Sequence, residues 1–343
     1  MIFSTAEESF SFAVRELRNA FGSSLRTERV GPTLGAILDP EPSAHAVATA
    51  IAEEPLVFIR HLTVEVGRIG REEAADIDVV ARAGTRAVVD AGVTGAVAVQ
   101  AWTTGSPNLG YRAGELFRRL AGELGAAGFR VASAGEEHVL SCCIMPAGVV
   151  LGLNRTADSL VDWPGGRVRL TRTDEQVSRA EFKLEELSHV TSVRLPMSGR
   201  ALDLGAAPGG WSRILRRRGL SVWAVDPADL DPRLASDPEV RHVRTTAGEF
   251  LRATDERFDL VVNDMRMDPL LSCRLMGDAA AVLRAGALAV VTLKLGSGQP
   301  IRIVRQCLDE LAWHYAIEFA RQLHHNRHEV TVVARRLPKD SHR

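Results

Sequence analysis

Residues 201–212, ALDLGAAPGGWS, constrain this chain more than any other stretch. A short apolar run enters a turn containing Gly205, Gly209 and Gly210, and a helix is expected to begin near Trp211. A strand that passes through a glycine-rich turn into a helix opens a Rossmann-like unit, because glycine accepts torsions that let the backbone close around a small ligand. The spacing is not the G-x-G-x-x-G of dinucleotide sites, where the helix start receives a pyrophosphate, so a dinucleotide-dependent oxidoreductase is disfavoured. Asp203, inside the strand, suits a ligand with a cationic amino-acid end. Asp226 closes the next apolar run, residues 221–226, where a carboxylate can accept hydrogen bonds from ribose hydroxyls.

The rest of the second half follows the same rhythm. Residues 201–204, 221–225, 260–263 and 287–294 are short apolar runs, each followed by loop or helix, as in a parallel sheet covered on both faces. A helix over 178–190 precedes them. Residues 316–323 and 329–335, separated by a short connection, predict an antiparallel hairpin at the end of that sheet. The fold class is therefore α/β, a Rossmann-like domain over 176–343 with a mostly parallel seven-stranded sheet and a terminal antiparallel strand.

The first half reads as α+β. Residues 1–63 mix a helical stretch, 6–21, with a short strand at 55–60. In 64–155, a strand over 96–102 leads to an amphipathic helix over 112–125, with Leu116, Leu120 and Leu124 at helical spacing and Arg118 and Arg119 on the wetter side. Residues 139–145 and 148–153 predict a hairpin around Pro146 and Ala147. Residues 156–175, with Trp163-Pro-Gly-Gly inside, read as a linker.

Composition narrows the class without naming it. The 343 residues, 45% hydrophobic, can bury a substantial core in two or three domains. Forty-two basic against 43 acidic residues give a net charge of −1, which neither demands nor excludes a polyanionic partner. Cys142 and Cys143 are adjacent while Cys273 and Cys307 stand apart, so neither zinc spacing nor a disulfide framework is present and a reducing interior is expected. The start lacks the basic segment and unbroken apolar stretch of a secretory leader, and no run approaches the roughly 18 apolar residues of a membrane span. A soluble, cytoplasmic protein without a membrane partner is expected.

Four residues at element ends carry the candidate chemistry: Lys183 on the helix before the first strand, Asp264 and Lys294 at strand ends, and Glu329 at the start of the last strand. Taken singly, Lys183 reads as a solvated helical lysine and Asp264 as a cap. Together they change the reading, since the carboxyl ends of parallel strands face the ligand crevice and an antiparallel last strand brings Glu329 to the same edge. A lysine amid apolar residues, with a second lysine nearby, loses its proton more readily and can serve as a base. His324 and His325 lack a third ligand at suitable spacing, so no metal is expected and they read as loop residues near the substrate. Arginines at 167, 169, 172 and 179, at 213 and 216–218, and at 321, 327 and 335 could neutralise phosphates or simply be solvated.

LDLGAAPGGWS resembles the cofactor motif of the FtsJ family of RNA ribose 2′-O-methyltransferases. The resemblance implies S-adenosylmethionine as cofactor, with Gly205, Gly209, Gly210 and Trp211 at its methionine end and Asp203, Ala206, Pro208 and Asp264 also at the cofactor. Asp226 would lie by the adenosine, and Glu249 stands where the family usually has aspartate near the adenine. The family's Lys-Asp-Lys-Glu group corresponds to Lys183, Asp264, Lys294 and Glu329. By that resemblance Lys294 removes the proton, Asp264 modulates it and orients the target, and Lys183 with Glu329 positions the ribose and the lysine. The flanks SRAEFKLEE and ARQLHHNRHEVTVVARR resemble a branch of the family that methylates a cytidine of 23S rRNA, whose members carry a ferredoxin-like segment and a THUMP RNA-binding module, here 1–63 and 64–155. The expected partner is RNA, either 23S rRNA or a large-subunit assembly intermediate. Alternatives are another rRNA site, a tRNA, or a non-catalytic RNA-binding assembly factor.

Overall fold

The structure, a computed structural model, describes residues 1–39, 41–296 and 298–338. The chain divides into two compact units, Met1–Val168 and Arg169–Arg343.

The first unit opens with β1 (Ile2–Ser4), α1 (Phe10–Phe21), β2 (Thr27–Gly31), β3 (Leu34–Ile37), α2 (Ala44–Glu53) and β4 (His61–Thr63). These strands form a sheet in the order β2-β3-β1-β4, with β1 antiparallel to both of its neighbours. There follow β5 (Glu65–Gly70), α3 (Arg71–Ala74), α4 (Ile77–Asp90), β6 (Ala96–Thr103), α5 (Ala113–Ala126), β7 (Arg130–Ala132), β8 (His138–Met145) and β9 (Gly148–Arg155). Their sheet runs β5-β9-β8-β6-β7. Side chains on β8 alternate between two apolar layers. Leu140, Cys142 and Ile144 pack with Val80, Leu116 and Leu120 of α4 and α5, whereas Cys143 and Met145 meet Ile2, Leu34 and Ala36 of the smaller sheet. Burial on both faces explains the nearly unbroken apolar sequence of β8.

The apolar run at 55–60 is not the strand its composition suggests. It is a buried turn before β4, in which the N–H groups of Val57 and Phe58 donate to the carboxylate of Glu16, each at 3.1 Å. A side chain here takes the place of a ladder partner, and composition does not reveal that exchange.

The second unit contains α6 (Glu181–Val190), β10 (Arg200–Leu204), α7 (Gly210–Arg217), β11 (Ser221–Val225), α8 (Pro232–Ala235), β12 (Val240–Val243), α9 (Ala247–Ala253), β13 (Phe258–Asn263), α10 (Pro269–Ala279), β14 (Leu283–Lys294), α11 (Pro300–Ala312), β15 (Tyr315–Arg321) and β16 (Glu329–Arg336). The sheet order is β12-β11-β10-β13-β14-β16-β15. Pairings from β12 across to β14 are parallel, and β16 lies antiparallel between β14 and β15. This is an α/β fold with a mixed sheet. From β10 the chain steps outward through β11 and β12, then returns to the other side at β13. The carboxyl ends of β10 and β13 therefore flank a topological switch point, where open α/β sheets bind ligands. Leu202, Leu204, Leu260, Val261 and Val262 are fully buried there, each stabilising the sheet by about 1.5–3 kcal/mol relative to exposure. No helix among the described residues is long and apolar enough to cross a membrane.

Candidate active site

The glycine-rich turn leaves β10 at the switch point. Gly205 (φ 72°) and Gly209 (φ 110°) adopt left-handed torsions. The space a Cβ would need at Gly205 is filled by Met265, at Gly209 by Leu234 and at Gly210 by Ser178, so protein packing as well as backbone torsion requires glycine. The turn is pinned to β11: the N–H groups of Gly205 and Ala206 donate to the Val225 carbonyl at 2.9 and 3.2 Å. Asp226 adds to the pinning, its Oδ2 accepting the Ala207 N–H at 3.0 Å and its Oδ1 that of Ala228 at 2.8 Å. The exposed Pro208 is fixed through its carbonyl, which accepts the Asp231 N–H at 2.9 Å.

Three other sequence candidates are committed to protein partners. Asp203 is buried beneath the turn and accepts the Ser212 hydroxyl at 2.7 Å. Burial pushes its carboxyl up to about 7 against that bond, with the charges of Asp264 and Asp226 adding to the rise. Trp211 is buried, and its indole N–H donates to the Ala180 carbonyl at 2.7 Å, tying the start of α7 to the segment before α6. Glu249 lies in the first turn of α9, where its Oε2 accepts the hydroxyls of Thr246 and Thr245, each at 2.8 Å, and the Thr246 N–H at 3.2 Å. Those bonds, Thr246 foremost, hold its carboxyl below the usual range.

Lys183, Asp264, Lys294 and Glu329 meet at one edge of the sheet. Asp264 follows the last residue of β13, and Lys294 ends β14. Glu329 opens β16 directly opposite Lys294 in the antiparallel ladder. Lys183 reaches over from α6. Its Nζ lies 2.9 and 3.0 Å from the two Asp264 carboxylate oxygens and 2.6 Å from Glu329 Oε2. The Lys294 ammonium bonds to Asp264 Oδ1 and lies 3.0 Å from Glu329 Oε1. Each carboxylate thus bridges both ammonium groups, and all four side chains retain 12–19% exposure.

The two lysines differ electrostatically. Burial opposes the charge on Lys183, but Asp264 and Glu329 outweigh it and raise its pKa above the ordinary lysine value. For Lys294 burial is the largest influence, the Lys183 charge adds to it, and the pKa falls despite both carboxylates. Burial would raise Asp264, yet the two ammonium groups hold it low. One lysine is therefore a fixed cation and the other is closer to releasing its proton.

Thr292 escaped the sequence reading. It stands two residues before Lys294 on β14, hence on the same face, and its hydroxyl donates to Asp264 Oδ1 at 2.5 Å. That spacing was a usable signal. Several arginines of the expected phosphate-binding clusters are partnered within the protein: Arg213 pairs with Glu175 and Glu181 at 2.9 and 2.7 Å, Arg216 with Asp237 at 2.9 Å, and Arg217 with Glu185 at 3.3 Å. His325 Nδ1 lies 2.7 Å from the Glu186 carboxylate. Among the described residues no group of three or more His, Cys, Asp or Glu is arranged to hold a metal ion.

Residues 176–304 match the family model described as FtsJ-like methyltransferase. Curated relatives named "Ribosomal RNA large subunit methyltransferase M" include one from Halorhodospira halophila, 43% identical over 178 residues, covering 51% of this chain and 52% of the relative. One from Xylella fastidiosa is 36% identical over 205 residues, covering 56% of each, and one from Methylococcus capsulatus is 37% identical over 186 residues, covering 51% of each. The chain spans about half the length of these relatives in the matched stretch.

Proposed function

We propose that this chain transfers a methyl group from S-adenosylmethionine to a ribose 2′-hydroxyl of RNA, its target being a cytidine of 23S rRNA. The observation that carries the reading is the meeting of two lysines and two carboxylates at the sheet edge that also holds the glycine-rich turn. The match to FtsJ-like methyltransferases over 176–304 and the names of the curated relatives support the reaction and the large-subunit RNA as substrate.

The residues at the switch point fit such a cofactor. A left-handed turn, the start of α7 and the strand-end carboxylates of Asp226 and Asp264 combine close backbone, amide dipoles and acceptor oxygens, as a zwitterionic amino-acid end and ribose hydroxyls require. On this reading Gly205, Ala206, Pro208, Gly209, Gly210 and Trp211 surround the methionine end, with Asp226 and Glu249 toward the nucleoside. Asp203 acts from beneath the turn through Ser212. Bound there, S-adenosylmethionine supplies an electrophilic methyl carbon.

The chain supplies the base. Lys294, in its neutral form, takes the 2′-hydroxyl proton as the oxygen attacks and becomes an ammonium held by Asp264 and Glu329. Lys183 keeps its proton and offsets one of the two carboxylates, so the positive charge that develops on Lys294 meets the negative charge left over. Thr292 and Lys183 fix the orientation of Asp264. In the first unit, residues 1–63 read as a ferredoxin-like segment and 64–155 as a THUMP-like RNA-binding module, joined by 156–175 to the methyltransferase domain.

Incubation with labelled cofactor and separate transcripts of large-subunit rRNA, small-subunit rRNA and tRNA, followed by mapping of ribose methylation, tests the proposal. A 2′-O-methyl cytidine in the large-subunit transcript is expected. Label confined to tRNA or the small-subunit transcript would overturn the substrate, and label on a base or on protein would overturn the reaction class.

A further inference from the structure

The loop joining β15 to β16, residues 322–328, ends at Glu329 and is held by a carboxylate from α6. Glu186 lies three residues beyond Lys183 on that helix, and its side chain is 1% exposed. Its Oε1 accepts the His324 N–H at 2.7 Å, and its Oε2 accepts the His325 N–H at 2.9 Å while lying 2.7 Å from His325 Nδ1. The His325 ring also packs on Phe182, with ring centroids 5.0 Å apart. Burying a carboxylate is costly unless its oxygens are fully engaged, and here two backbone amides and an imidazole engage them. Bonds to consecutive backbone N–H groups fix the path of the main chain as well as one side chain.

The other end of the loop is braced toward the site. Buried Asn326 accepts the Leu323 N–H at 2.8 Å and the Thr331 hydroxyl at 3.0 Å, and its amide donates to Glu329 Oε2 at 3.4 Å. Gln322 Nε2 donates to the Arg327 carbonyl at 2.6 Å. Helix α6 therefore meets this region twice, through Glu186 to the loop backbone and through Lys183 to Glu329.

We propose that Glu186 is a positioning residue: by clamping residues 324 and 325 to α6 it sets the distance at which Glu329 meets Lys183 and Lys294. It touches neither substrate nor the reacting atoms. Glu329 bridges both lysines, at 2.6 and 3.0 Å, so drift of the loop alters both contacts at once. The activity readout of this proposal rests on the 2′-O-methyl transfer reading given above.

The test compares wild type, Glu186→Gln, Glu186→Ala and the control Tyr315→Phe, which removes a different buried hydrogen bond, to the Met276 carbonyl, at the other end of β15. Methyl transfer to the rRNA transcript, cofactor affinity, thermal stability and amide hydrogen exchange are measured on each. For Glu186→Ala we expect kcat to fall about 10-fold or more while KM and cofactor affinity stay within about 2-fold, Glu186→Gln to lie between it and wild type, and exchange to quicken at residues 323–329. Tyr315→Phe should keep its kcat. Activity lost only in proportion to the unfolded fraction, equally in both classes of variant, would overturn the assignment. If wild type methylates no RNA the functional reading fails, and exchange then decides alone: quickening confined to 323–329 in Glu186→Gln sustains the clamp, and unchanged exchange ends it.

Discussion

Lys294 and Glu329 are paired directly across the β14–β16 ladder, and their side chains meet at 3.0 Å on the face that also receives Lys183. The backbone register itself brings the candidate base to a carboxylate that stabilises its protonated form. Replacing Glu329 by Gln keeps the shape but removes that influence. We expect kcat to fall by about 10–100-fold with cofactor affinity unchanged, because the lysines lose a shared anchor. Equal kinetics in Glu329→Gln and wild type, measured in single turnovers, would remove Glu329 from the account.

A base must be neutral to act, so transfer by the saturated complex should rise with pH and level off below the pH expected of an ordinary lysine, since burial and Lys183 lower the pKa of Lys294. Removing the Glu329 charge takes away an influence that favours the protonated lysine, so the rising limb of Glu329→Gln moves to lower pH. Lys183→Met removes a like charge and moves it to higher pH. Rate profiles of the three proteins check both directions, and shifts of the same sign would contradict the assignment of Lys294.

Asp203 makes the cofactor-free fold sensitive to pH. Its folded pKa, raised to about 7, exceeds that of an aspartate in an unfolded chain, so between the two the folded protein holds a proton that the unfolded chain has released. The contribution to stability is full below the ordinary carboxylate range and is lost as pH rises to about 7. It amounts to a few kcal/mol at most, roughly 2–4 °C of Tm for each. Asp203→Asn should therefore lose less Tm than wild type between about pH 5 and pH 8; an equal loss in the two proteins would show that the buried carboxyl does not govern it.

Much of this site was legible because its chemistry sits at element ends. The glycine turn announces a strand-to-helix switch, and Asp264, Lys294 and Glu329 each terminate or open an apolar run, which fixes the edge they share. The purpose of individual residues was less legible. The glycines read as room for a ligand, yet Met265, Leu234 and Ser178 fill the space their side chains would take. Asp226 read as a ribose acceptor, and its oxygens also hold the turn. Long-range polar contacts, such as Glu186 with His324 or the acids that neutralise Arg213 and Arg216, leave no periodic trace. A seven-stranded sheet requires a strand between β11 and β13, but the sequence does not show where it lies, because β12 is at the sheet edge and buries just Val240, so it shows no apolar run.

The packing around the turn separates two costs that a substitution at Gly205 would incur. Gly205→Ala imposes about 1–2 kcal/mol of left-handed strain and also meets the Met265 side chain. A second change, Met265→Ala, should relieve the collision and leave the strain, so the double variant regains part of the lost Tm but not all of it. Calorimetric melting of the three proteins reads this directly; full recovery in the double variant would mean that the torsion carries no cost.

The most direct measurement is methyl transfer to a large-subunit rRNA transcript by Lys294→Ala, with cofactor affinity determined in parallel by titration calorimetry. Loss of transfer by at least about 1,000-fold, with cofactor affinity within about 2-fold of wild type, is the expected result. Transfer at the wild-type rate in a variant that binds cofactor normally would contradict the claim that Lys294 takes the proton.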